Sequence, residues 1–472
     1  MINLNRVVFQ LGVLVAMISV ARQGACQNGQ VIPDPSRAPI ALTPRILPDN
    51  PVRIGGVYTS GLGGSSGLTP VSTGHATLSA ANRDWIAQNC DVIALAPSDI
   101  EPDTFPTILK MQKLFTPLMY LYATSLYEGE HRGSIGGWRP EMSSWVLRRK
   151  DGSEVPYPEA GGHWMDFANT DWAEHWMHRI NSLTKQYGAY GVVAAELPLG
   201  NTFTGGDLQK YPTVKERAAA TKTWLEAVRK GYPNLIIPSA IGFDLAAGHN
   251  TPDPHTPFVA PALTIRLWND YFNLTDGAWC EGWVQPYWDR LPISESLWET
   301  QMEAADRAGR LGQAFIVGSA YRNERELEFA LASYLLIVHN QGRVVFQPMP
   351  IRPGEPQDAG FNLAVLRREV REKPQYFRVP LGRGLQERHQ VPEEGGVWRR
   401  NFQFGDVYVN SDERKTITVR FGGNMRRLSG KVVRSVELPP HSGAVLMYAA
   451  SGPVPAKAPA KHPAAAGNKK KR

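Results

Sequence analysis

Residues 188–201 read Gly188-Ala-Tyr-Gly-Val-Val-Ala-Ala-Glu196-Leu-Pro-Leu-Gly200-Asn201, and they hold the signal that decides the fold. The apolar run from Gly191 to Leu197 predicts a buried strand, which follows a helix-like stretch ending at Gly188 and precedes a Pro/Gly-rich loop. It carries a carboxylate, Glu196, and a carboxylate is costly to bury unless something pairs with it or uses it. At the carboxyl end of a barrel strand such a residue indicates chemistry. The alternative is that Glu196 only orders the following loop through backbone hydrogen bonds.

Short apolar runs alternate with segments of helical period on both sides of this stretch, which is typical of parallel strands joined by helices. The predicted strands are 52–58, 91–96, 117–123, 191–197, 234–240, 278–284, 313–319 and 343–347, and the predicted helices are 79–89, 104–114, 170–187, 214–231, 260–272, 295–308, 324–339 and 360–371. Eight strand–helix units predict an α/β fold of the (β/α)8 TIM-barrel type. A doubly wound open sheet is the alternative, but the glycine-rich segment 61–67 lacks a following helix at the spacing of a phosphate-binding turn.

The composition of the chain predicts five regions. Residues 1–25 resemble a signal peptide, because Arg6 precedes an apolar stretch at 7–21 that is too short to span a membrane. We therefore expect a secreted, periplasmic or cell-envelope protein, with lipidation of Cys26 as an alternative route to membrane attachment. The expected regions are the signal peptide 1–25, a linker 26–50, the barrel 51–372, a small all-β, sandwich-like domain 373–450 and a disordered basic tail 451–472.

The net charge of the chain is +7, and its distribution matters more than its size. Six cations and no acids lie in residues 456–472, so the rest of the chain carries 7 − 6 = +1. A nearly neutral body does not indicate a nucleic-acid groove, and no nucleic-acid partner is expected. The tail is expected to be a solvated end of the chain; contact with an anionic surface is the alternative.

The sequence offers no pattern for a metal or a cofactor. Cys90 and Cys280 are expected to be buried thiols, although a bridge between them is an alternative. His175 and His178 would share one helix face, but no carboxylate of metal-site spacing accompanies them. There is no HExxH motif, no nucleophile elbow and no P-loop, so neither a metal nor a cofactor is expected.

The carboxyl ends of barrel strands meet at one mouth, and two carboxylates are predicted there. Glu196 ends the fourth predicted strand and Glu281 lies in the sixth. Glycosidic cleavage needs such a pair, one to protonate the leaving oxygen and one to attack carbon or activate water. Either residue could instead serve in an ion pair. Asp166 either caps the helix that follows it or contacts a substrate hydroxyl. The candidate substrate-binding residues are Asp166, His163, Trp164, Asn201, Asp244, Trp283, Tyr287 and Tyr321.

Residues 163–201 resemble a segment of barrel glycosidase-like proteins, with His163-Trp-Met-Asp166, Trp172 and Trp176 before the strand that ends in Glu196. With the following β region, where Leu438-Pro-Pro-His-Ser-Gly443-Ala-Val-Leu446 resembles the last strands of such a domain, the chain resembles hypothetical glycosyl-hydrolase-like families. Their architecture is similar to that of α-galactosidase and polygalactosaminidase enzymes. In the α-galactosidase-like clan the nucleophile ends strand four and the acid/base ends strand six. That clan has Asp at strand four, whereas this chain has Glu196.

The resemblance implies a glycoside hydrolase that acts on a poly- or oligosaccharide. Glu196 would be the nucleophile or base and Glu281 the general acid. A non-catalytic carbohydrate-binding barrel of the cell envelope is the alternative. A metal-dependent hydrolase would need a His/Asp cluster that the sequence does not display. Carboxyl groups about 5–5.5 Å apart would indicate a retaining mechanism, and about 6.5–9.5 Å an inverting one.

Overall fold

A computed structural model describes most of the central part of the chain. The described residues are 50–58, 78–128, 133–155, 157, 161–195, 197, 208–211, 213–239, 271, 273–286, 292–338, 344–351 and 362–449. They form a mixed α/β fold followed by an all-β sheet.

The first part contains β1 (Gly55–Val57), β2 (Val92–Leu95), β3 (Thr116–Tyr122), β4 (Ser125–Tyr127), β5 (Gly162–Trp164), β6 (Gly191–Ala195), β7 (Leu235–Pro238), β8 (Gly277–Cys280), β9 (Ala314–Tyr321) and β10 (Val344–Pro350). The helices are α1 (Ala80–Asn89), α2 (Thr104–Met111), α3 (Thr170–Tyr187), α4 (Val214–Gly231), α5 (Glu295–Arg310), α6 (Glu324–Ile337), α7 (Leu363–Glu372) and α8 (Pro374–Phe377). The last part contains β11 (His389–Val391), β12 (Val397–Phe402), β13 (Gly405–Asn410), β14 (Ile417–Arg427), β15 (Val432–Leu438) and β16 (Ser442–Tyr448).

The pattern of strands and helices predicted for the first part is confirmed. Each of the eight predicted strands overlaps an observed parallel strand, and seven of the predicted helices overlap α1 to α7. The predicted helix 260–272 falls almost entirely outside the described residues. The antiparallel hairpin of β4 and β5 was not predicted, because both strands are only three residues long.

The eight parallel strands form two sheets, in the orders β1-β2-β3-β6-β7 and β10-β9-β8. Single parallel bridges connect the edges of these sheets, between Ile54 and Phe346 on one side and between Ser239 and Trp279 on the other. Parallel strands are normally covered on both faces, and the described ones have two apolar faces. One face packs against the helices, and the other forms a shared cluster to which all eight strands contribute. Its buried members are Val57, Val92, Ala94, Leu118, Val193, Leu235, Ile237, Trp279, Ala314, Ile316 and Val345.

The side chain of Gln347 on β10 forms hydrogen bonds with the backbone of β1. Its Nε2 donates to the Val57 carbonyl over 2.7 Å, and its Oε1 accepts from the Val57 amide at 3.3 Å. The same Oε1 accepts from the Trp279 indole at 2.9 Å. Gly56 has a φ of +142° and leaves the space that this amide occupies, because a Cβ there would lie 2.4 Å from Gln347. Gln347 is completely buried, so water could not take its place as the hydrogen-bond partner of these three groups.

The last part is one antiparallel sheet in the order β11-β12-β13-β16-β14-β15. The short β-like runs 407–410, 416–421, 430–438 and 443–448 of the sequence predict four strands in this region, and β13 to β16 overlap them, whereas β11 and β12 were missed. The sequence of β12, Val-Trp-Arg-Arg-Asn-Phe, shows no alternation of apolar and polar residues, because the buried position 400 is an arginine.

Helix α6 packs directly against this sheet through two buried charged groups. The Arg400 guanidinium donates from Nη1 to the carbonyls of Leu335 and Leu336, both at 3.1 Å, and of Val338 at 2.5 Å, so it caps the end of α6. Glu328, 7 % exposed, pairs with Arg427 at 2.9 Å and accepts from the Val445 amide at 3.2 Å. Burial raises the pKa of Glu328 above its ordinary value, and the Arg427 charge offsets this only in part.

Replacement of Gln347 by Leu should lower the free energy of unfolding by about 3–5 kcal/mol, because it leaves three buried polar groups without partners. Chemical denaturation measures this change. Gln403→Leu, at an exposed turn between β12 and β13, is the matched control and should change stability little. A loss of the same size in both variants would contradict the role given to Gln347.

Glu328 should make folding stability depend on pH. Because its pKa is raised in the folded state, the fold binds this proton more tightly than the unfolded chain does. That stabilisation is complete below the ordinary pKa of about 4.5 and is lost as the pH rises through the folded pKa. Glu328→Gln stays neutral, so its stability relative to the wild type should improve as the pH rises from about 4 to 8. Exposed Glu437→Gln is the control, and parallel curves for Glu328→Gln and the wild type would contradict the prediction.

Candidate active site

Glu281 is the predicted catalytic carboxylate that lies within the described residues. It directly follows β8, at the carboxyl end of a parallel strand. It is half-buried, and the chain around it lies beside Gly318 of β9. A Cβ at Gly318 would lie 3.1 Å from the Cys280 carbonyl oxygen and 3.4 Å from the Glu281 Cα. The Trp283 amide donates to the Gly318 carbonyl at 2.9 Å. Glu281 therefore begins a turn that packs beside Gly318 of the neighbouring strand.

This turn is strained and is held by a helix. Val284, which is β-branched, has a φ of +51°, a conformation that such residues rarely adopt. Gln301 of α5, completely buried, accepts from the Val284 amide at 2.8 Å and donates to the Gly282 carbonyl at 3.3 Å. Gln285 donates to Glu326 of α6 at 3.0 Å. Strain of this kind persists only where the surroundings impose it, and it is concentrated at functional sites.

Gln301 and Gln285 were not predicted as site residues. Gln301 lies on the buried face of α5, between Trp298 and Ala305 in the helical repeat. A polar residue on an apolar helix face was the available signal, since a buried amide needs partners. Which turn it would hold was not visible in the sequence.

A row of aromatic rings runs from the shared interior of the parallel strands out to the hairpin of β4 and β5. Trp279 belongs to the interior cluster and Tyr120 packs against it. Tyr120 and Tyr122 are each half-buried. Successive ring centroids are separated by 6.1 Å for Trp279–Tyr120, 5.7 Å for Tyr120–Tyr122, 5.8 Å for Tyr122–Tyr127, 5.3 Å for Tyr127–Tyr157 and 4.6 Å for Tyr157–Trp164.

His163 and Trp164 both lie on β5 and have different surroundings. The His163 ring stacks on Trp138 with centroids 4.3 Å apart. Its Nδ1 lies 3.2 Å from Glu154 Oε2 and its Nε2 lies 3.6 Å from Glu128 Oε1. Trp164 is 4 % exposed and ends the aromatic row. His163 is therefore placed between two carboxylates at the hairpin.

Asp166 is occupied by contacts within the protein. It is 3 % exposed and accepts from the Tyr211 hydroxyl and the Lys210 ammonium, both at 2.5 Å. It also accepts from the Ala168 amide at 3.2 Å, while Asn169 is the N-cap of α3. Burial and the hydrogen bond to Asp166 raise the pKa of Tyr211 well above its usual range.

Two further candidates are also internal. The Tyr321 hydroxyl donates to buried Glu369 of α7 at 3.0 Å, and Lys373 pairs with the same carboxylate at 2.9 Å. Trp283 is completely buried in the layer between strands and helices. Its indole N–H has no hydrogen-bond partner among the described residues. Neither side chain has the exposure that a sugar contact requires.

The remaining candidates, Glu196, Asn201, Asp244 and Tyr287, lie outside the described residues. The strand before Glu196 is described, and its last residue, Ala195, pairs with Tyr122 of β3. Glu196 therefore follows a strand adjacent to the aromatic row.

The tryptophans that carried part of the resemblance have a packing role. Trp176 of α3 donates from its indole to the Tyr122 carbonyl at 2.7 Å, and Trp172 donates to the Ala123 carbonyl at 3.2 Å. Both are completely buried. They fix the end of β3, where the aromatic row emerges.

Cys90 and Cys280 form no disulfide and are buried, as expected, and burial raises the pKa of the Cys90 thiol. Within the described ranges, no group of three or more His, Cys, Asp or Glu side chains could hold a metal ion. None of the helices described here has the length and apolar character needed to cross a membrane.

No protein-family model matches the chain, and no curated protein matches it. Among solved structures, the glycoside hydrolase domain of PelA from Pseudomonas aeruginosa is 15 % identical, with 64 % of this chain and 94 % of that chain covered and a TM-score of 0.37. An Anoxybacillus alpha-amylase is 9 % identical, with 84 % and 98 % covered and a TM-score of 0.43. Aspergillus fumigatus Ega3, solved in complex with galactosamine, is 9 % identical, with 66 % and 95 % covered and a TM-score of 0.36. The PelA domain and the alpha-amylase are described as glycoside hydrolases, but likeness at this level assigns no activity to the chain.

Gln301→Leu should loosen the turn that follows Glu281. The Val284 amide and the Gly282 carbonyl lose their partner, so we expect a stability loss of about 2–4 kcal/mol. Hydrogen exchange at the amides of Trp283 and Gln285 should also become faster.

Gln313→Leu is the matched control for this change, because the Gln313 side chain donates to the Thr275 carbonyl at 3.4 Å, before β8 and at the end of that strand opposite to the turn. Unchanged exchange at 283–285 in Gln301→Leu would show that Gln301 does not hold the turn.

Proposed function

We propose that the two parallel sheets are parts of one closed (β/α)8 barrel. The two single bridges at the sheet edges support this arrangement. The interior cluster supports it too, since it draws side chains from all eight strands. Filling by residues from alternating positions is typical of barrel interiors. The boundaries 51–372 for the barrel and 373–450 for the β domain belong to the same proposal.

We further propose that the protein is a glycoside hydrolase acting on a poly- or oligosaccharide. The observation that carries this proposal is the position of Glu281, a half-buried carboxylate at the end of β8, two residues after the Trp279 ring that starts the aromatic row. Aromatic rings pack against the apolar faces of ligands, and carboxylates at strand ends are where barrel enzymes place their chemistry.

In this mechanism Glu281 is the general acid that protonates the glycosidic oxygen as the bond to the leaving sugar breaks. Glu196, which follows β6, is the nucleophile or the base that activates water. The strained turn at Val284 supports the assignment of Glu281, because a carboxylate that transfers a proton must be held in one position. Retention or inversion depends on the separation of the two carboxyl groups.

Substrate contacts are assigned by exposure. Tyr120 and Tyr122 join the proposal because they are half-buried at the carboxyl end of β3. Asn201, Asp244 and Tyr287 stay in it on sequence position, and half-buried His163 stays at the hairpin end of the aromatic row. Asp166, Trp164, Trp283 and Tyr321 are all buried and become supports of the surrounding fold. Secretion through residues 1–25, and attachment through Cys26, remain part of the proposal.

The decisive experiment is a glycan screen with wild type, Glu281→Gln and Glu196→Gln. Loss of a general acid, base or nucleophile should lower kcat/KM at least about 100-fold in each variant. Glu303→Gln, at an exposed position of α5, is the control and should keep full activity. Equal hydrolysis in all proteins would remove both carboxylates from the mechanism.

A second substrate separates the two roles. A glycosyl fluoride needs no proton for its leaving group, so Glu281→Gln should retain activity on it while Glu196→Gln should not. Oligosaccharide binding without hydrolysis by the wild type would instead favour a non-catalytic carbohydrate-binding barrel.

A further inference from the structure

The hairpin of β14 and β15 is strongly basic. Residues 417–438 contain five cations and one acid, Glu437. The cations are Arg420, Arg426, Arg427, Lys431 and Arg434. Since the chain without residues 456–472 has a net charge of +1, this concentration is local.

Four of these cations, Arg420, Arg426, Lys431 and Arg434, are exposed and have no acidic partner within 4 Å among the described residues. Two other arginines of the same sheet have acidic partners. Arg399 pairs with Asp406 at 2.9 Å, and Arg427 pairs with Glu328 at the same distance. Unpaired like charges on neighbouring strands repel one another, which is a cost unless a polyanion neutralises them.

A glycine bulge lies between the arginines. Arg420 pairs with Ser435, but the register shifts before Met425 pairs with Val433. Gly422 and Gly423 fall within this bulge, and a Cβ added at either would meet nothing within 4 Å. Glycine inside a strand often marks a place where a ligand or another backbone approaches closely. Arg420 and Arg426 therefore flank a stretch of open backbone along β14.

One contact holds the bulge in place. Arg434 donates from Nε to the Asn424 side-chain oxygen at 2.9 Å, across the hairpin. This contact fixes a guanidinium beside the two glycines. Arginine presents a planar fork that binds carboxylate or sulfate groups through two hydrogen bonds.

We propose that the β14–β15 hairpin, centred on Arg420, Arg426 and Arg434, binds an acidic polysaccharide through its carboxylate or sulfate groups. Bound nucleobases would need a stacking platform, but Phe421, the aromatic residue of this hairpin, is half-buried and packs against Tyr408 at 5.8 Å. A membrane surface would call for exposed aromatic or leucine side chains, which the hairpin lacks. The proposal does not depend on catalysis at Glu281.

The test measures binding of the full chain to polygalacturonate and to a sulfated glycan, each over a range of salt concentrations. The triple variant Arg420→Gln/Arg426→Gln/Arg434→Gln should bind at least about ten-fold more weakly, a loss of about 1.4 kcal/mol. Its binding should also depend less on salt, because fewer charges are neutralised. The three positions are exposed, so the melting temperature should fall only slightly, through loss of the Arg434–Asn424 hydrogen bond.

The matched control is Lys469→Gln/Lys470→Gln/Lys471→Gln, which removes the same charge from the tail. It should bind the acidic glycans as the wild type does. A second variant, with the three arginines replaced by lysine, should bind with intermediate strength if the guanidinium forks matter.

Three results would overturn the proposal. The first is an equal loss of binding in the tail control, which would make the effect one of net charge. The second is an absence of acidic-glycan binding by the wild type. The third is tighter binding to single-stranded DNA or to phosphatidylserine vesicles than to either glycan, which would assign the hairpin to another class of partner.

Discussion

The side-chain amide of Gln347 links the parallel part of the fold to its candidate chemistry. It hydrogen-bonds both backbone groups of Val57 on β1, and it also accepts from the Trp279 indole on β8. The contact that joins the edges of two sheets therefore also orients the first ring of the aromatic row. Gly56 is required at the same place, because any side chain there would overlap the amide. The same buried amide therefore stabilises the parallel strands and positions the first ring of the candidate site.

Around this interior, several polar side chains form hydrogen bonds with backbone groups that lie beyond the ends of strands and helices. Gln301 holds the strained turn after β8, and Arg400 caps the carbonyls at the end of α6. In each case a long side chain supplies hydrogen bonds to a buried backbone that has no strand or helix partner. Glu328 plays the same part for the Val445 amide, at the cost of burying a carboxylate.

The order of strands and helices could be predicted because apolar runs such as 191–197 and 313–319 are separated by segments of helical period. The placement of Glu281 directly after a parallel strand followed from the same pattern. What could not be predicted was the use of individual polar residues. Tyr321 and Asp166 lie near strand ends in the sequence, yet their partners, Glu369 and Tyr211, are 48 and 45 residues away. Contacts over such distances depend on tertiary packing, which periodicity does not encode.

The hydrogen bonds from Arg400 to the end of α6 determine when this helix can be completed during synthesis of the chain. Arg400 follows Val338, whose carbonyl it binds, by 62 residues, so α6 leaves the ribosome well before its cap exists. During that interval the last carbonyls of the helix, and the face that later packs on the sheet, remain without their partners. Domains generally fold as units during synthesis, with the earlier segments first. In this protein the helix layer reaches its final state only once the following sheet has been made, so translation of the last hundred residues is also a folding step for the first part.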